Sequence, residues 1–245
     1  MTLFALAIAP GLAICLFIYV KDRYNREPLH LLLLSFLLGA LSTLPALLIQ
    51  IVSGMQLETL HPGDYLRAAF YAYCIVALSE EGSKLMFVRM FAFRKNAFDE
   101  PFDGIVYTVM TGMGFATLEN IGYVYQHGWT AAVSRMFLAV PAHATFAILM
   151  GYHIGLARFS SGTLSRNLHF LKGLLLASIL HGTYDFFLFT GNGWLSALGA
   201  LASLYIGIRL SRRAISIHHG TSARIHLRSK AHTNQMTETG DEPAS

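Results

Sequence analysis

Apolar residues fall in long runs separated by short polar connectors. The runs cover approximately residues 3–20, 29–53, 66–90, 103–125, 131–157, 169–189 and 194–210. Each has roughly the 17–25 residues that cross a hydrocarbon core as a helix. The connectors carry charge and turn residues, among them KDRYNREP at 21–28, SGMQLETLHPGD at 53–64, RKNAFDEP at 94–101, QHGW at 126–129 and RFSSGTLSRN at 158–167. The gap at 190–193 is the shortest. The pattern predicts an all-α fold, a polytopic membrane helical bundle of about seven transmembrane helices.

Composition agrees. Of the 245 residues 54% are hydrophobic and 13% charged, too little polar surface for a soluble domain. Both cysteines, Cys15 and Cys74, lie inside apolar runs, which argues against a disulfide framework or a thiolate metal site. The net charge of +4 does not imply a nucleic-acid partner. All but Arg67, Lys84 and Arg135 of the 18 basic residues lie on or near alternate connectors, or in the C-terminal tail. Basic residues stay on the cytoplasmic side. The N-terminus is therefore expected outside and the C-terminus cytoplasmic, in the cytoplasmic (inner) membrane of a bacterium. The first run lacks a basic segment before it and reads as an uncleaved span. Residues 1–210 read as the membrane-embedded domain. Residues 211–245 read as a polar, disordered cytoplasmic tail; its histidines, His218, His219, His226 and His232, could bind metal fortuitously, but a solvated tail in contact with anionic lipid is the favoured reading.

Several ionisable residues interrupt the apolar runs: Glu80, Glu81 and Lys84 in the third, Glu119 in the fourth, His143 in the fifth, His181 and Asp185 in the sixth. Each costs about 2.5–3.5 kcal/mol at the bilayer centre, so the set would cost on the order of 20 kcal/mol if exposed singly to lipid. They are expected to converge on one wet cavity. Glu80 and Lys84 are four residues apart and Glu81 and Lys84 three, so either carboxylate can reach the ammonium while the other points into the cavity. His181 and Asp185 share a helix face. Thr108, Gly112 and Ala116 form a small-residue stripe for close helix packing.

This set suits peptide hydrolysis. A carboxylate shielded from bulk water can act as general base, and histidines can shuttle protons or donate to an oxyanion. His143, His181, Glu81 and Glu119 could equally hold a divalent metal such as zinc. No HExxH stretch is present. Structural readings compete: a Glu–Lys pair can be a lock, His143 can be a packed histidine, and Glu100 and Asp103 read as helix-terminal carboxylates. At the level of function the rivals are a proton- or ion-coupled carrier using the acids as a relay, and a non-catalytic membrane scaffold or immunity protein.

The same residues resemble the PrsW family of membrane proteases, distantly similar to the CAAX-prenyl endopeptidase and bacteriocin-immunity group. The resemblance rests on Glu80-Glu81-Gly82-Ser83-Lys84, Phe115-Ala116-Thr117-Leu118-Glu119-Asn120, Pro141-Ala142-His143-Ala144 and His181-Gly182-Thr183-Tyr184-Asp185, with flanking stretches at 22–28 and 99–107. It implies an endopeptidase that cleaves a membrane-anchored protein, with anti-sigma factors as the best-known substrate class. By motif Glu80 or Glu81 activates water, Glu119, His143, His181 and Asp185 complete the site, and Lys84 and Asn120 orient it. A metal-free, glutamate-type mechanism is favoured over a metal-dependent one.

Overall fold

The computed structural model describes residues 2–55, 60–61 and 63–239, and among these it is helical with no strand. The helices are α1 (Thr2–Lys21), α2 (Leu29–Leu41), α3 (Thr43–Val52), α4 (Tyr65–Phe70), α5 (Leu78–Met90), α6 (Pro101–Phe137), α7 (Ala139–Arg158), α8 (Thr163–Phe189) and α9 (Gly193–Thr239). A π-helical stretch, Tyr71–Ala77, joins α4 to α5 without interruption. By length and composition four segments among the described residues are apolar enough to cross a membrane: Thr2–Lys21, Leu29–Val52, Pro101–Arg158 and Gly193–Ala231. The third has 58 residues, enough for two crossings. The segments carrying Glu80, Glu81 and Lys84, and His181 and Asp185, fall outside this set, because those polar residues lower their hydropathy.

Burial follows the apolar pattern. From Pro101 to Thr117 every residue of α6 is buried, as expected of a helix apolar on all sides. α1, α2 and α7 pack around it, and α8 and α9 pack on α7. Exposed leucines on α1, α2 and α3, such as Leu16, Leu33 and Leu48, face outward, which suits lipid. The run 29–53 is broken at Ser42, whose hydroxyl donates to the Gly39 carbonyl at 2.6 Å. Pro45, three residues on, lacks the N–H that would bond to the Leu41 carbonyl, and its ring crowds that group.

α6 also packs closely on α7. A Cβ on Gly104 would lie 2.4 Å from the Gly155 nitrogen, and one on Gly151 would lie 2.5 Å from the Gly104 oxygen. Only hydrogen fits between these backbones. Gly112, from the predicted small-residue stripe, also faces α7, where a Cβ would meet Ala147 at 2.8 Å.

The tail after Ser211 differs from expectation. It is helical as far as Thr239, continuous with α9. Ala200, Leu204, Ser211, Ala214 and His218 are buried, and Gly207 packs against Thr145. These positions recur every three or four residues and form one seam from apolar sequence into polar sequence. His218 is not solvated: its Nε2 lies 2.8 Å from the Tyr152 carbonyl, and its ring stacks on Tyr152. His219 packs against the rings of Tyr24 and Phe102, and His226 also meets Tyr24; the His232 side chain lies outside the described residues.

The connectors at 21–28, 94–101 and 158–167 and the α9 extension meet at one end of the bundle. Asn25 donates to Asp99 at 2.8 Å, and Arg158 donates to the carbonyls of Phe93, Lys95 and Phe98. Acids tie this end together. Asp22, Glu27, Glu100 and Asp103 are all buried. Tyr107 donates to Glu27, the Glu27 N–H donates to Asp22, and Asp103 accepts the N–H groups of Asp99 and Glu100 at the start of α6. The helix-terminal reading of Glu100 and Asp103 matches this capping box.

Two predictions follow from this packing. Gly151→Val forces α6 and α7 apart. It should cost ~3 kcal/mol, the upper end for overpacking, because backbone cannot rotate away. A melting temperature in detergent equal to that of the parent would exclude the contact. At the acidic end, burial pushes Asp22 up to about 6 and Glu27 up to about 7, with nearby acids adding to the rise. The ordinary values are about 3.9 and 4.3, so the folded state binds more protons than the unfolded chain in that interval. Stability from these groups is full at low pH and is lost as pH rises toward about 7. Glu27→Gln should therefore flatten the fall in melting temperature across this window. A slope unchanged by the substitution would show that Glu27 does not carry it.

Candidate active site

Glu80, Glu81 and Lys84 lie in the first turns of α5 and are all buried. The π-helical stretch before them rotates α5 relative to a regular α-helix, and such widened turns recur at functional sites. It is pressed against α8: a Cβ on Gly182 would lie 2.4 Å from the Tyr73 ring, and the Tyr73 and Thr183 hydroxyls are 2.8 Å apart. By its spacing Lys84 can reach either carboxylate. The structure puts Lys84 Nζ 2.7 Å from Glu81 Oε1 and 3.5 Å from Glu80 Oε2. The ammonium also lies 3.3 Å from His143 Nδ1 and 3.9 Å from the centre of the Phe115 ring.

From α8, His181 places Nδ1 2.9 Å from Glu81 Oε1 and Nε2 3.2 Å from Asp185 Oδ2. Its Nε2 is 3.9 Å from Glu80 Oε2. Phe146 of α7 stacks on the imidazole at 4.6 Å and fixes its plane. From α7, His143 places Nε2 2.9 Å from Glu119 Oε2 of α6. All six residues expected to converge, Glu80, Glu81, Glu119, His143, His181 and Asp185, thus belong to one connected network. Asn120 is buried beside it and donates to the Ala7 carbonyl of α1 at 2.9 Å.

Two participants were missed in the sequence. Arg135 donates to Glu119 at 2.7 Å and to Asn120 at 3.0 Å, with its guanidinium 4.0 Å from the centre of the Tyr123 ring. In a straight helix Glu119 and Arg135 would lie about 24 Å apart. Gly128, with φ +66° and ψ −142°, breaks α6 and turns the chain back so that they meet. This is the predicted connector at 126–129, and its glycine, free to take a positive φ, is the signal that could have pointed to the reversal. Gln50 of α3 reaches Glu80 Oε1 at 3.3 Å. A lone glutamine in an apolar run was the available signal.

A cavity of about 1100 Å³ opens on this network. Glu80, Glu119, His143, His181, Asp185 and Arg135 contribute to its walls, and Leu44, Leu47, Ile51 and Leu188 supply apolar surface. Glu81 does not line it. That residue is 1% exposed, held behind the wall by Lys84 and His181. The carboxylate pair is therefore divided: Glu81 fixes its neighbours, and Glu80 faces the space where water and a peptide would sit.

The centre could also hold a metal. One donor atom each from Glu80, Glu81, His143 and His181 lie within 4.8 Å of one another. Glu80 Oε2 and Glu81 Oε2 are buried without a hydrogen-bond partner, which leaves each a free lone pair. Two imidazoles and two carboxylates are a donor set that zinc accepts, so the residues fit the ion. Of the set expected from sequence, Glu119 is replaced by Glu80, because Arg135 and His143 already occupy Glu119 Oε2.

Comparison with known proteins gives one answer. The family model described as PrsW family intramembrane metalloprotease matches residues 27–210. The chain is 37% identical over 193 residues to Protease PrsW of Geobacillus kaustophilus, covering 79% of this chain and 82% of that protein. It is 36% identical over 213 residues to Protease PrsW of Bacillus subtilis, covering 86% and 94%. Protease PrsW of Shouchella clausii is 35% identical over 182 residues, with 74% and 81% covered. No solved structure matches. With helices of membrane-spanning length around a buried carboxylate–histidine centre, this chain belongs to the PrsW family of intramembrane proteases.

Proposed function

We propose that the chain hydrolyses a peptide bond of a membrane-anchored protein at the centre shared by α5, α6, α7 and α8. The observation that carries this is Glu80 facing the cavity while Glu81 is held behind it. Water beside Glu80 Oε2 gives up a proton to that carboxylate as it attacks the scissile carbonyl. His181, fixed through Nδ1 by Glu81, turns Nε2 toward Glu80 and Asp185 and passes the proton within the site. His143, on the cavity wall, joins Lys84 through Nδ1 to Glu119 through Nε2 and holds both charges in place beside the substrate. The protonated Glu80 then returns its proton to the leaving amine. A relay carrier or a scaffold would account for buried acids but not for membership of a protease family.

Two readings of the positive charge are available. In the first the protein's own Lys84 supplies it, at 2.7 Å from Glu81, and the mechanism is of the glutamate type. The second is supported by the Glu80 and Glu81 oxygens that are buried without a hydrogen bond and by the family's description as a metalloprotease. An ion held by Glu80, Glu81, His143 and His181 would add Lewis-acid polarisation of water and carbonyl.

The proposed topology has seven crossings, with the N-terminus outside and the C-terminus in the cytoplasm of a bacterium. The gathering of the basic connectors at one end of the bundle supports it. The substrate is then a protein with its own membrane anchor, an anti-sigma factor being the class suggested by the family resemblance.

Glu80→Gln should lower cleavage of a membrane-anchored reporter by about 10²–10⁴-fold, the range for loss of a general base, with melting temperature retained. Glu81→Gln should lower both activity and stability, since it frees Lys84 and His181 in a buried site. Full activity in both variants ends the assignment. Chelator treatment of purified protein, with metal content measured alongside, separates the two readings of charge. Loss of activity restored by one added metal supports the ion, and undiminished activity in metal-free protein supports Lys84 alone.

A further inference from the structure

At the end of the bundle that gathers the basic connectors, a second cavity of about 410 Å³ is lined by Arg89, Phe93, Arg94, Arg158, Arg166 and Phe170. It shares no lining residue with the peptidase cavity. Arg89 lies about 12 Å along α5 from Glu81. Four arginine residues from the end of α5 and the turn after it, the end of α7 and the start of α8 line it, without a carboxylate among the lining residues. The positive-inside tendency explains each arginine on its connector. It does not explain their convergence, since like charges in one cavity repel unless an anion joins them.

The arginines divide by occupation. Arg158 is committed to three backbone carbonyls, at 3.1, 3.0 and 3.2 Å, and braces the wall. Arg89 lies over the Phe170 ring at 5.0 Å. Arg94 and Arg166 are exposed, and their side chains have no hydrogen bond, ion pair or ring contact among the described residues. Arg166 also stands in the first turn of the 27-residue α8, whose N-terminal dipole favours an anion. Arginine forks match phosphate oxygens in geometry. Phe93 and Phe170 give the same cavity apolar surface, and Met86 is exposed one turn from Arg89 on the same face of α5. Charge beside apolar surface suits an amphipathic ligand better than a free ion.

We propose that Arg89, Arg94, Arg158 and Arg166 form a phosphate-binding site that takes the headgroup of an anionic phospholipid from the cytoplasmic leaflet. The site stands apart from the protease reading and does not depend on it. Its occupant holds the ends of α5, α7 and α8 together, the same helices that present Glu80, His143 and His181 to the other cavity.

The test uses the full-length protein in neutral detergent. It is titrated separately with dioleoylphosphatidylglycerol, dioleoylphosphatidylcholine and inorganic phosphate, and read by native mass spectrometry and melting temperature. Phosphatidylglycerol should be retained at least about tenfold more tightly than phosphatidylcholine. The double variant Arg94→Gln/Arg166→Gln should lose that preference with an unchanged lipid-free melting temperature, because both side chains are exposed and unpartnered. Arg94→Lys/Arg166→Lys, which keeps the charge, should retain most of it. A response to inorganic phosphate with no preference for phosphatidylglycerol keeps the phosphate site and overturns its assignment to lipid. Equal retention of the two lipids, or phosphatidylglycerol binding unaltered in the glutamine variant, overturns the site itself.

Discussion

Lys84 carries its ammonium into an apolar bundle and leaves its side chain only 3% exposed, with Glu81 at 2.7 Å, His143 at 3.3 Å and Glu80 at 3.5 Å. Removing charge from water costs several kcal/mol per ion, and only close partners with good geometry offset it. The carboxylates of α5 can therefore stay buried because this cation sits among them. His143 and His181 approach the same cluster from α7 and α8, so the charge on α5 helps decide where two further helices dock. The cost of burying one ion is shared by a network, and the network is the centre of the fold.

A second, similar arrangement balances Glu119. Arg135 and His143 both reach its Oε2, and Tyr123 covers the guanidinium. Lysine thus holds the Glu80–Glu81 part of the network and arginine the Glu119 part, with His143 in contact with both. Glu80 Oε2 has Lys84 at 3.5 Å but no hydrogen bond, and is the least restrained of these oxygens on the cavity. Fixed charge near a less restrained carboxylate is the kind of preorganised field that hydrolysis draws on.

The convergence of Glu80, Glu81, Glu119, His143, His181 and Asp185 was legible in the sequence because ionisable groups in apolar runs have few places to go. The division of labour between Glu80 and Glu81 was not. Three- and four-residue spacings both permit a contact with Lys84, and only the packing of His181 against Glu81 makes the choice. Arg135 was hidden because it counts as a connector residue until Gly128 turns the chain back. The π-helical stretch could not be read from local sequence, and its Tyr73 packs on Gly182, a contact between residues far apart in the chain. The helical tail was concealed by its composition: its buried seam is made of Ser211, Ala214 and His218, small or polar residues that do not register as hydrophobic.

The glycine contact between α6 and α7 has an energetic character of its own. Once a helix has formed in the bilayer its backbone freedom is already spent, and what remains to be lost on docking is mostly rotamer freedom. Gly104, Gly151 and Gly155 have no χ angles to immobilise. Their close approach therefore gains dispersion and weak Cα–H···O attraction with no side-chain entropy to set against it. In a solvent where hydrophobic burial does not drive helices together, a seam without rotamers is an economical way to hold His143 in place opposite Glu119.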